Sequence, residues 1–292
     1  MKKGLLYGLA FLGGVFLFFI TLAFLFSLSL SFRGFSKPEA VGVVEIKGLI
    51  TEADGKIKIL EKFRYREDVK ALVVRIDSPG GTVGASQELY EELKRISQVK
   101  PVVVSLGSVA TSGAYYIALG GSKILASPGT ITGSIGVLLQ IPNLEELLKK
   151  LGIRTIVLKT GKHKDLISYY REPSPEERKI LEETLSEVHG QFMRAVAERR
   201  KISLEKVKEL ADGRIFTGEK AKALGLVDDL GNFMEAVELA ARLGGIKGRP
   251  HLIYGSEKKG LLKKLVEGQV SLSLERFWFS PWYLWDGGAS LP

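Results

Sequence analysis

The sequence contains no cysteine and only three histidines. The lack of cysteine excludes disulfide bonds and a thiol nucleophile. It does not fix the cellular compartment, because a chain of this length buries an adequate core without disulfides. The histidines form no His-Glu-x-x-His motif, and no Gly-x-x-x-x-Gly-Lys-Ser/Thr loop is present. The sequence therefore points to neither a metal nor a nucleotide cofactor.

Charged side chains are missing from the N-terminal segment between Gly4 and Phe32. An apolar helix needs about 20 residues to cross a bilayer. This run is longer than the 7–15 residues or so of a cleavable signal peptide's apolar region. We therefore predict a retained, single-pass transmembrane anchor over residues 1–32 and a short linker over residues 33–39. Lys2 and Lys3 precede the uncharged run, which favours a cytoplasmic N-terminus and an exported domain.

Acidic residues are outnumbered, and the formal net charge is +9. A solvated, lysine-rich surface explains this excess, and so does attraction of a tethered domain to anionic lipid headgroups. The basic residues do not form the stripe with interleaved aromatic residues that nucleic-acid binding requires. We expect the lipid bilayer, and no nucleic acid, as a partner.

After residue 39, short β-rich runs alternate with helical patterns, which predicts an α/β fold with a mostly parallel, helix-covered sheet. The predicted strands are Val41 to Ile46, Ala71 to Ile76, Val102 to Leu106, Lys123 to Ala126 and Ile153 to Lys159. The predicted helices are Ala85 to Ile96, Gly113 to Leu119, Leu144 to Leu151, Leu204 to Ala211 and Phe233 to Leu243.

The clearest helix signal starts at Ser174. The run Ser174-Pro175-Glu176-Glu177 combines an N-cap serine, a first-turn proline and a glutamate three residues after the cap, as a capping box requires. Apolar residues then recur at helical spacing as far as Val196. We predict a long helix there.

The chain shows no internal repeat, so we predict one domain over residues 40–255. Residues 256–292 are predicted to form a C-terminal helix and an aromatic-rich tail. All three tryptophans lie between positions 278 and 285. This tail is open to four interpretations: an interfacial aromatic belt, a subunit contact, a segment that occupies an apolar groove, or a simple packed tail.

Ser112 is the strongest candidate for chemistry. An apolar strand run ends in small residues and a Ser-Gly step, and a helical pattern follows from Gly113, so the hydroxyl lies at a strand-to-helix turn beside backbone N–H groups. Gly80 and Gly81 follow another strand and are able to offer N–H groups to an oxyanion. Lys162 and Lys164 follow the predicted strand that ends at Lys159, and either lysine is a possible general base. This combination suggests acyl transfer without histidine.

Four motifs carry a family resemblance. They are Asp77-Ser78-Pro79-Gly80-Gly81, the run from Ala110 to Ala118 around Ser112, Thr132-Gly133-Ser134-Ile135-Gly136-Val137 and His163-Lys164-Asp165. In this order they resemble signal peptide peptidase A, a family of membrane-anchored peptidases with a Ser-Lys dyad. The similarity covers roughly residues 38–245. It implies a crotonase-like fold, a spiral of ββα units as in ClpP and crotonase.

The resemblance also implies roles for individual residues. Ser112 is the expected nucleophile and Lys164 the expected base, while the Ser134 hydroxyl orients the lysine amine. The N–H groups of Gly81 and Gly113 are expected to form the oxyanion hole, and Gly80 to allow close approach of an extended substrate.

Local sequence alone does not choose the base. Lys162 and Lys164 are equivalent candidates by position, His163 is a weaker one, and only the family motif selects Lys164. A lysine base must lose its proton near neutral pH, which requires burial away from carboxylates. Asp165 is therefore expected to point away from Lys164.

The resemblance implies a serine endopeptidase that degrades remnant signal peptides and other extended apolar peptides at the membrane. It also implies a ring of about eight copies whose active-site walls are shared. Three alternatives remain: a related protease that trims other membrane proteins, an acyl-CoA enzyme of the crotonase type, and a non-enzymatic membrane scaffold. For Ser112 itself, the alternative is a small residue needed for close packing.

Overall fold

The structure is a computed structural model that describes residues 2–32, 38–256 and 282–284. Side chains are described only at positions 7 and 11–25 of the first range and at none of the last. The chain falls into two compact units, one ending at Pro38 and one beginning at Glu39. The first contains helix α1, Lys2–Phe32. Judged on the described residues, no helix is both long enough and apolar enough to cross a membrane.

The second unit is built on a mixed sheet. Its strands are β1 (Ala40–Lys47), β2 (Val69–Ser78), β4 (Val102–Thr111), β5 (Lys123–Ala126), β6 (Ile131–Gly133), β7 (Ile215–Thr217), β8 (Asp229–Leu230) and β9 (His251–Tyr254). Their order is β7-β6-β4-β2-β1-β9, with β5 and β8 extending from β4. Every pair is parallel except β6 with β7.

Helices cover both faces of the sheet. They are α2 (Asp54–Tyr65), α3 (Val83–Ser97), α4 (Gly113–Ala118), α5 (Glu145–Lys150), α6 (Pro175–Arg200), α7 (Leu204–Leu210), α8 (Gly218–Ala223) and α9 (Phe233–Leu243). A separate antiparallel pair joins β3 (Gly80–Thr82) to β10 (Trp282–Leu284). The prediction of an α/β fold is confirmed.

Alternation along β2 explains the two layers of the core. Leu72, Val74 and Ile76 belong to the larger cluster, which includes side chains of α2, α3, α4 and α6. Ala71 and Val73 point to the other face, where the small residues of α9 pack against them. Because successive strand residues face opposite sides, a strand buried on both faces is apolar throughout.

The central strand β4 has two successive neighbours on one edge. Its first half pairs with β5, in the register Val103 to Lys123. Its second half pairs with β6, in the register Val109 to Ile131. The far end of β4, which runs into Ser112, therefore lies beside β6 and the residues that follow it.

The helices predicted between residues 85 and 243 and four of the five predicted strands are present, and one strand is wrong. The capping box at the start of α6 is present, with Ser174 accepting from the Glu177 N–H and Glu177 accepting from the Ser174 N–H. The predicted strand from Ile153 to Lys159 is wrong: no strand pairs with it in the described chain. Of the C-terminal helix and aromatic-rich tail predicted over residues 256–292, the structure describes only residue 256 and the strand Trp282–Leu284, and the rest lies outside the described residues.

Candidate active site

Ser112 connects β4 to α4 in an unusual backbone conformation. Its φ is 55° and its ψ is −120°, which costs a non-glycine residue about 1–3 kcal/mol. The turn is held from both sides, because the Ser112 N–H donates to the Gly133 carbonyl at 2.8 Å and its carbonyl accepts from the Tyr116 N–H at 2.9 Å. A strained backbone conformation that neighbouring hydrogen bonds hold in place is typical of functional sites.

The Ser112 hydroxyl is buried and has no hydrogen-bond partner within the described part of the chain. Most buried polar groups are paired, and an unpaired one costs about 1–3 kcal/mol. A strained serine with an unsatisfied hydroxyl is difficult to explain by packing alone. A nucleophilic serine is expected to have such a hydroxyl when the base that accepts its proton is not yet in place.

The glycine loop follows β2 and is fixed by Ile50. The Ile50 N–H donates to the Gly80 carbonyl at 2.9 Å, and the Thr82 N–H donates to the Ile50 carbonyl at 2.8 Å. A Cβ added to Gly81 would lie 1.9 Å from that carbonyl oxygen. Gly80 has a φ of 109°, a region that favours glycine. Sequence and sterics therefore agree that both positions require glycine.

A side-chain hydrogen bond joins this loop to the serine turn. The Thr111 hydroxyl donates to the Pro79 carbonyl at 3.1 Å, and Ser78 pairs with Ala110 in the sheet. The loop and Ser112 are thus brought together, and α4, which begins at Gly113, contacts β3. The Tyr115 hydroxyl donates to the Leu226 carbonyl at 2.7 Å, which anchors α4 from inside the core.

Ser134 lies on the other side of Ser112, directly after β6. Its φ is 51°, and its N–H donates to the Arg214 carbonyl at 2.8 Å. Only three non-glycine residues in the described ranges have a positive φ, and Ser112 and Ser134 are two of them. The structure therefore brings these two serines together around the Gly133 carbonyl, and both are buried.

Lys164 is not part of this cluster in the described single chain. The Ser112 hydroxyl has no partner, and Lys164 is exposed. The two rival bases are engaged elsewhere: Lys162 lies 2.5 Å and His163 lies 3.3 Å from carboxylate oxygens of Glu176. No ion pair of Lys164 occurs among the described residues. Of the three candidates, only Lys164 is not tied to a carboxylate.

Asp165 pairs with cations other than Lys164. Its carboxylate pairs with Lys159 and, at 3.1 Å, with Arg171. Hydrogen bonds from Lys159 and then Arg171 hold the pKa of Asp165 below its ordinary value. The residue beside the candidate base is therefore already neutralised by other cations.

Arg171 connects the lysine-bearing segment to α6. Its guanidinium forms a two-pronged contact with Glu177, at 2.7 Å for each pair of atoms, in addition to its contact with Asp165. The hydrogen bonds from Arg171 and then from the Ser174 backbone hold the pKa of Glu177 well below its ordinary value. Because Glu177 also completes the capping box, one carboxylate fixes both the helix and the segment.

The ion pair between Arg171 and Glu177 is expected to stabilise the fold at neutral pH and to lose that effect in acid. A carboxyl group with a lowered folded-state pKa stabilises the fold above its unfolded pKa of about 4.5, and that contribution is lost as pH falls towards the folded value. Arg171→Met should therefore lower the melting temperature at pH 7, and the difference from wild type should shrink below about pH 4. Arg178→Met, on the exposed side of α6, is the control. A difference that stays constant from pH 7 to pH 3 would contradict the assignment.

The segment between α5 and α6 exposes an apolar surface. Ile156 and Leu158 are 84% and 93% exposed, and Leu151 and Ile153 are also exposed. This patch is continuous in sequence with Lys164. Contiguous exposed apolar side chains mark interaction surfaces more often than free surface.

Within the described ranges, no three acidic or histidine side chains cluster closely enough to hold a metal ion.

Known proteins are similar to this chain over most of its length. The model for Peptidase family S49 matches residues 94–247, a range that contains Ser112, Ser134 and Lys164. A candidate protease of Synechocystis is 45% identical over 81% of this chain and 86% of its own length. Protease 4 of Salmonella typhi is 38% identical over 71% of this chain, and a candidate signal peptide peptidase of Enterococcus faecium is 38% identical over 61%. The chain spans 33% and 52% of those two relatives.

Proposed function

Because this chain belongs to peptidase family S49 and is a serine protease, we propose that Ser112 is its nucleophile and Lys164 its general base. The observation that carries the proposal is the strained, buried and unpartnered Ser112 hydroxyl. Neutral Lys164 takes the hydroxyl proton as Oγ attacks a peptide carbonyl, and the leaving amine receives that proton. Water then hydrolyses the acyl-enzyme ester and regenerates Ser112.

The surrounding residues take supporting roles. The N–H groups of Gly81 and Gly113 stabilise the oxyanion, and Gly80 lets an extended substrate approach the loop. Ser134 orients the lysine amine, in the way that a carboxylate orients a histidine base. The positions of Ser134 and of the glycine loop on either side of Ser112 support these assignments.

Lys164 reaches Ser112 through assembly of several copies. Ser112 lacks a partner in the single chain, and Lys164 follows an exposed apolar segment. We assign this segment to the contact between neighbouring copies in a ring of about eight, with active-site walls shared between them. Burial in that contact also removes water from the Lys164 side chain.

The choice of base is testable by substitution. Lys164→Ala should lower kcat/KM by about 10³-fold or more, because the members of such a dyad act as a unit. Lys162→Ala is the matched control, since its ammonium pairs with Glu176, and it should retain activity within a few-fold. Activity on a fluorogenic peptide is the readout. An active Lys164→Ala protein beside an inactive Lys162→Ala protein would reverse the assignment.

The ring is tested by light scattering of the ectodomain after removal of residues 1–36. We expect a mass several times that of one chain. Ile156→Asp and Leu158→Asp should shift the mass towards that of a single chain and lower the activity with it, because they place charge in the apolar contact. A fully active, monodisperse single chain would contradict both the ring and the shared active site.

Extended apolar peptides are the proposed substrates, and remnant signal peptides are the first candidates. The supporting observations are the peptidase family and the name of the Enterococcus faecium relative. A peptide library should show a preference for leucine, alanine and other small or apolar residues at the cleavage site. A profile dominated by charged residues would contradict this and favour the trimming of other membrane proteins.

The proposed cellular setting is the membrane surface. The uncharged run from Gly4 to Phe32 supports an anchor over residues 1–32 with a linker over residues 33–39. The peptidase domain, residues 40–255, is then placed on the exported side of the cytoplasmic membrane, and residues 256–292 form its C-terminal extension. The two neighbours of β4 along one edge support the crotonase-like spiral of ββα units.

A further inference from the structure

Strand β4 carries a bulge shortly before it reaches the serine turn. Ile76 of β2 lies opposite Leu106 of β4. The next pair along the two strands is Ser78 with Ala110. One residue of β2 therefore faces three residues of β4, residues 107–109, and the pairing shifts by two residues. Bulges are common beside active sites, where they redirect a functional side chain.

The bulge determines which part of β4 lies beside the glycine loop. Without the two extra residues, Ser108 and not Ala110 would lie opposite Ser78. Every later residue of β4 would then lie two positions, or about 7 Å, further along β2. With the bulge, the Thr111 hydroxyl donates to the backbone of the glycine loop. The shifted pairing therefore places Ser112, the next residue, beside that loop.

Asp77 is the residue of β2 that faces the bulge, and its carboxylate binds the bulged backbone. Its Oδ1 atom accepts a hydrogen bond from the Val109 N–H at 3.1 Å. Gly107 leaves the space that this carboxylate occupies, because a Cβ added there would lie 2.6 Å from Asp77 Cγ and 2.9 Å from Oδ1. The carboxylate and the glycine therefore fit together as one unit.

Other side chains bind the carbonyl groups of the same stretch. The Thr130 hydroxyl donates to the Gly107 carbonyl at 2.7 Å, and the Arg75 guanidinium donates to the Leu106 carbonyl at 2.9 Å. Backbone groups that leave a sheet ladder need such replacement partners. Of these three side chains, Asp77 is the one that supplies an acceptor.

We infer that Asp77 is a positioning residue, whose carboxylate holds the bulge that keeps Ser112 in register with the glycine loop. The inference rests on the proposed function, in which Ser112 is the nucleophile and the Gly81 N–H an oxyanion donor. Loss of the acceptor frees the Val109 N–H and lets β4 relax towards regular pairing, which moves Ser112 along β2. A misplacement of about 1 Å in a reacting group costs about 10²-fold in rate.

The test compares substitutions of Asp77 in the full chain, each measured well below its melting temperature. Asp77→Ala should lower kcat on a fluorogenic apolar peptide about 10²-fold and change KM by no more than about threefold. Asp77→Asn keeps an acceptor oxygen at the same place, so its kcat should stay within about threefold of wild type. Gly107→Ala should reproduce the loss, because its Cβ displaces the carboxylate, and it supplies the same comparison should Asp77→Ala not fold.

Asp228→Ala is the matched control. The Asp228 carboxylate also accepts from a strand backbone, the Ile124 N–H, at 2.8 Å. Ile124 belongs to β5, which pairs with the first half of β4, before the bulge. This variant should have a lower melting temperature than wild type, with kcat changed by no more than a few-fold.

Hydrogen exchange at the Val109 amide reports on the bulge independently of catalysis. This amide should be protected in wild type, Asp77→Asn and Asp228→Ala, and should lose that protection in Asp77→Ala. Wild-type kcat in Asp77→Ala or Gly107→Ala, or an equal loss in Asp77→Asn, would overturn the inference while leaving Ser112 as the nucleophile. Loss of protection in Asp77→Ala, with no fluorophosphonate labelling of Ser112 even in wild type, would instead reject the proposed function and retain Asp77 as the residue that holds the bulge.

Discussion

Ser112→Ala is expected to lower peptidase activity by about 10⁴-fold or more and to leave the fold at least as stable as wild type. The loss follows because a nucleophile acts as a unit with its base and oxyanion donors. The stability follows because the Ser112 hydroxyl is buried without a partner in the described chain, so its removal relieves an unsatisfied polar group.

Ser112→Gly sharpens this expectation. Glycine adopts a φ of 55° and a ψ of −120° without the strain that a side chain meets there. We expect Ser112→Gly to raise stability by about 1 kcal/mol while abolishing activity. Ser108→Gly, at an exposed position of the same strand, is the control and should lower stability slightly, with activity intact. The measurements are thermal unfolding and labelling with a fluorophosphonate probe. A destabilised, inactive Ser112→Gly protein would favour a packing role for Ser112.

Gly81→Ala is the second substitution with a large expected effect. The new Cβ would lie 1.9 Å from the Ile50 carbonyl oxygen, so β3 must move away from Ile50 and weaken the two hydrogen bonds between them. That movement displaces the Gly81 N–H from the place it takes as the proposed oxyanion donor. Removal of one such donor costs about 10²–10³-fold in kcat, and we expect a loss of at least that size.

Gly84→Ala is the matched control for Gly81→Ala. Nothing lies within 4 Å of an added Cβ at Gly84, which belongs to α3 only three residues further along the chain. Alanine is a better helix former than glycine by up to about 1 kcal/mol, so this variant should be slightly more stable and fully active. Peptidase activity and the melting temperature of the two variants decide the matter. Wild-type turnover in Gly81→Ala would remove Gly81 from the oxyanion hole.

The elements determined by residues close together in sequence were the most predictable part of the fold. The capping box at Ser174 needs only residues within one turn, and it is present. The apolar runs of β2 and β4 were identified because a strand covered on both faces is apolar throughout. By contrast, β3, β6 and β7 have three residues each and contain or adjoin glycine, so they carry no periodic pattern of their own.

The predicted strand from Ile153 to Lys159 failed for a physical reason. A β-rich composition favours an extended chain, but a strand also needs a neighbour for its backbone groups. No neighbour is present in the described chain, and Ile156 and Leu158 are exposed. The composition of a segment indicates its tendency to be extended, but it does not indicate whether another strand is available to pair with it.

At the candidate site, sequence identified positions but not conformations. The motifs selected Ser112, Ser134 and the two glycines, and their catalytic roles stay predictions. The positive φ values of both serines and the unsatisfied hydroxyl had no sequence signal. Ile50, which fixes the glycine loop, was missed because its hydrogen bonds join residues about thirty positions apart. The pairing of Tyr283 with Gly81 was likewise undetermined, although occupation of a groove was one of the interpretations of the tail.

The hydrogen bond from Tyr115 to the Leu226 carbonyl has a consequence for synthesis of the chain. It joins α4 to a residue made 111 positions later, and the edge strand β9, which pairs with β1, begins only at His251. A ribosome adds about 5–20 residues each second, so several seconds separate translation of Ser112 from translation of its last internal support. Until residue 226 is made, the nascent polypeptide lacks the bond that anchors α4 beside Ser112. The order of translation thus delays completion of the surroundings of Ser112 until nearly the whole second unit has been made.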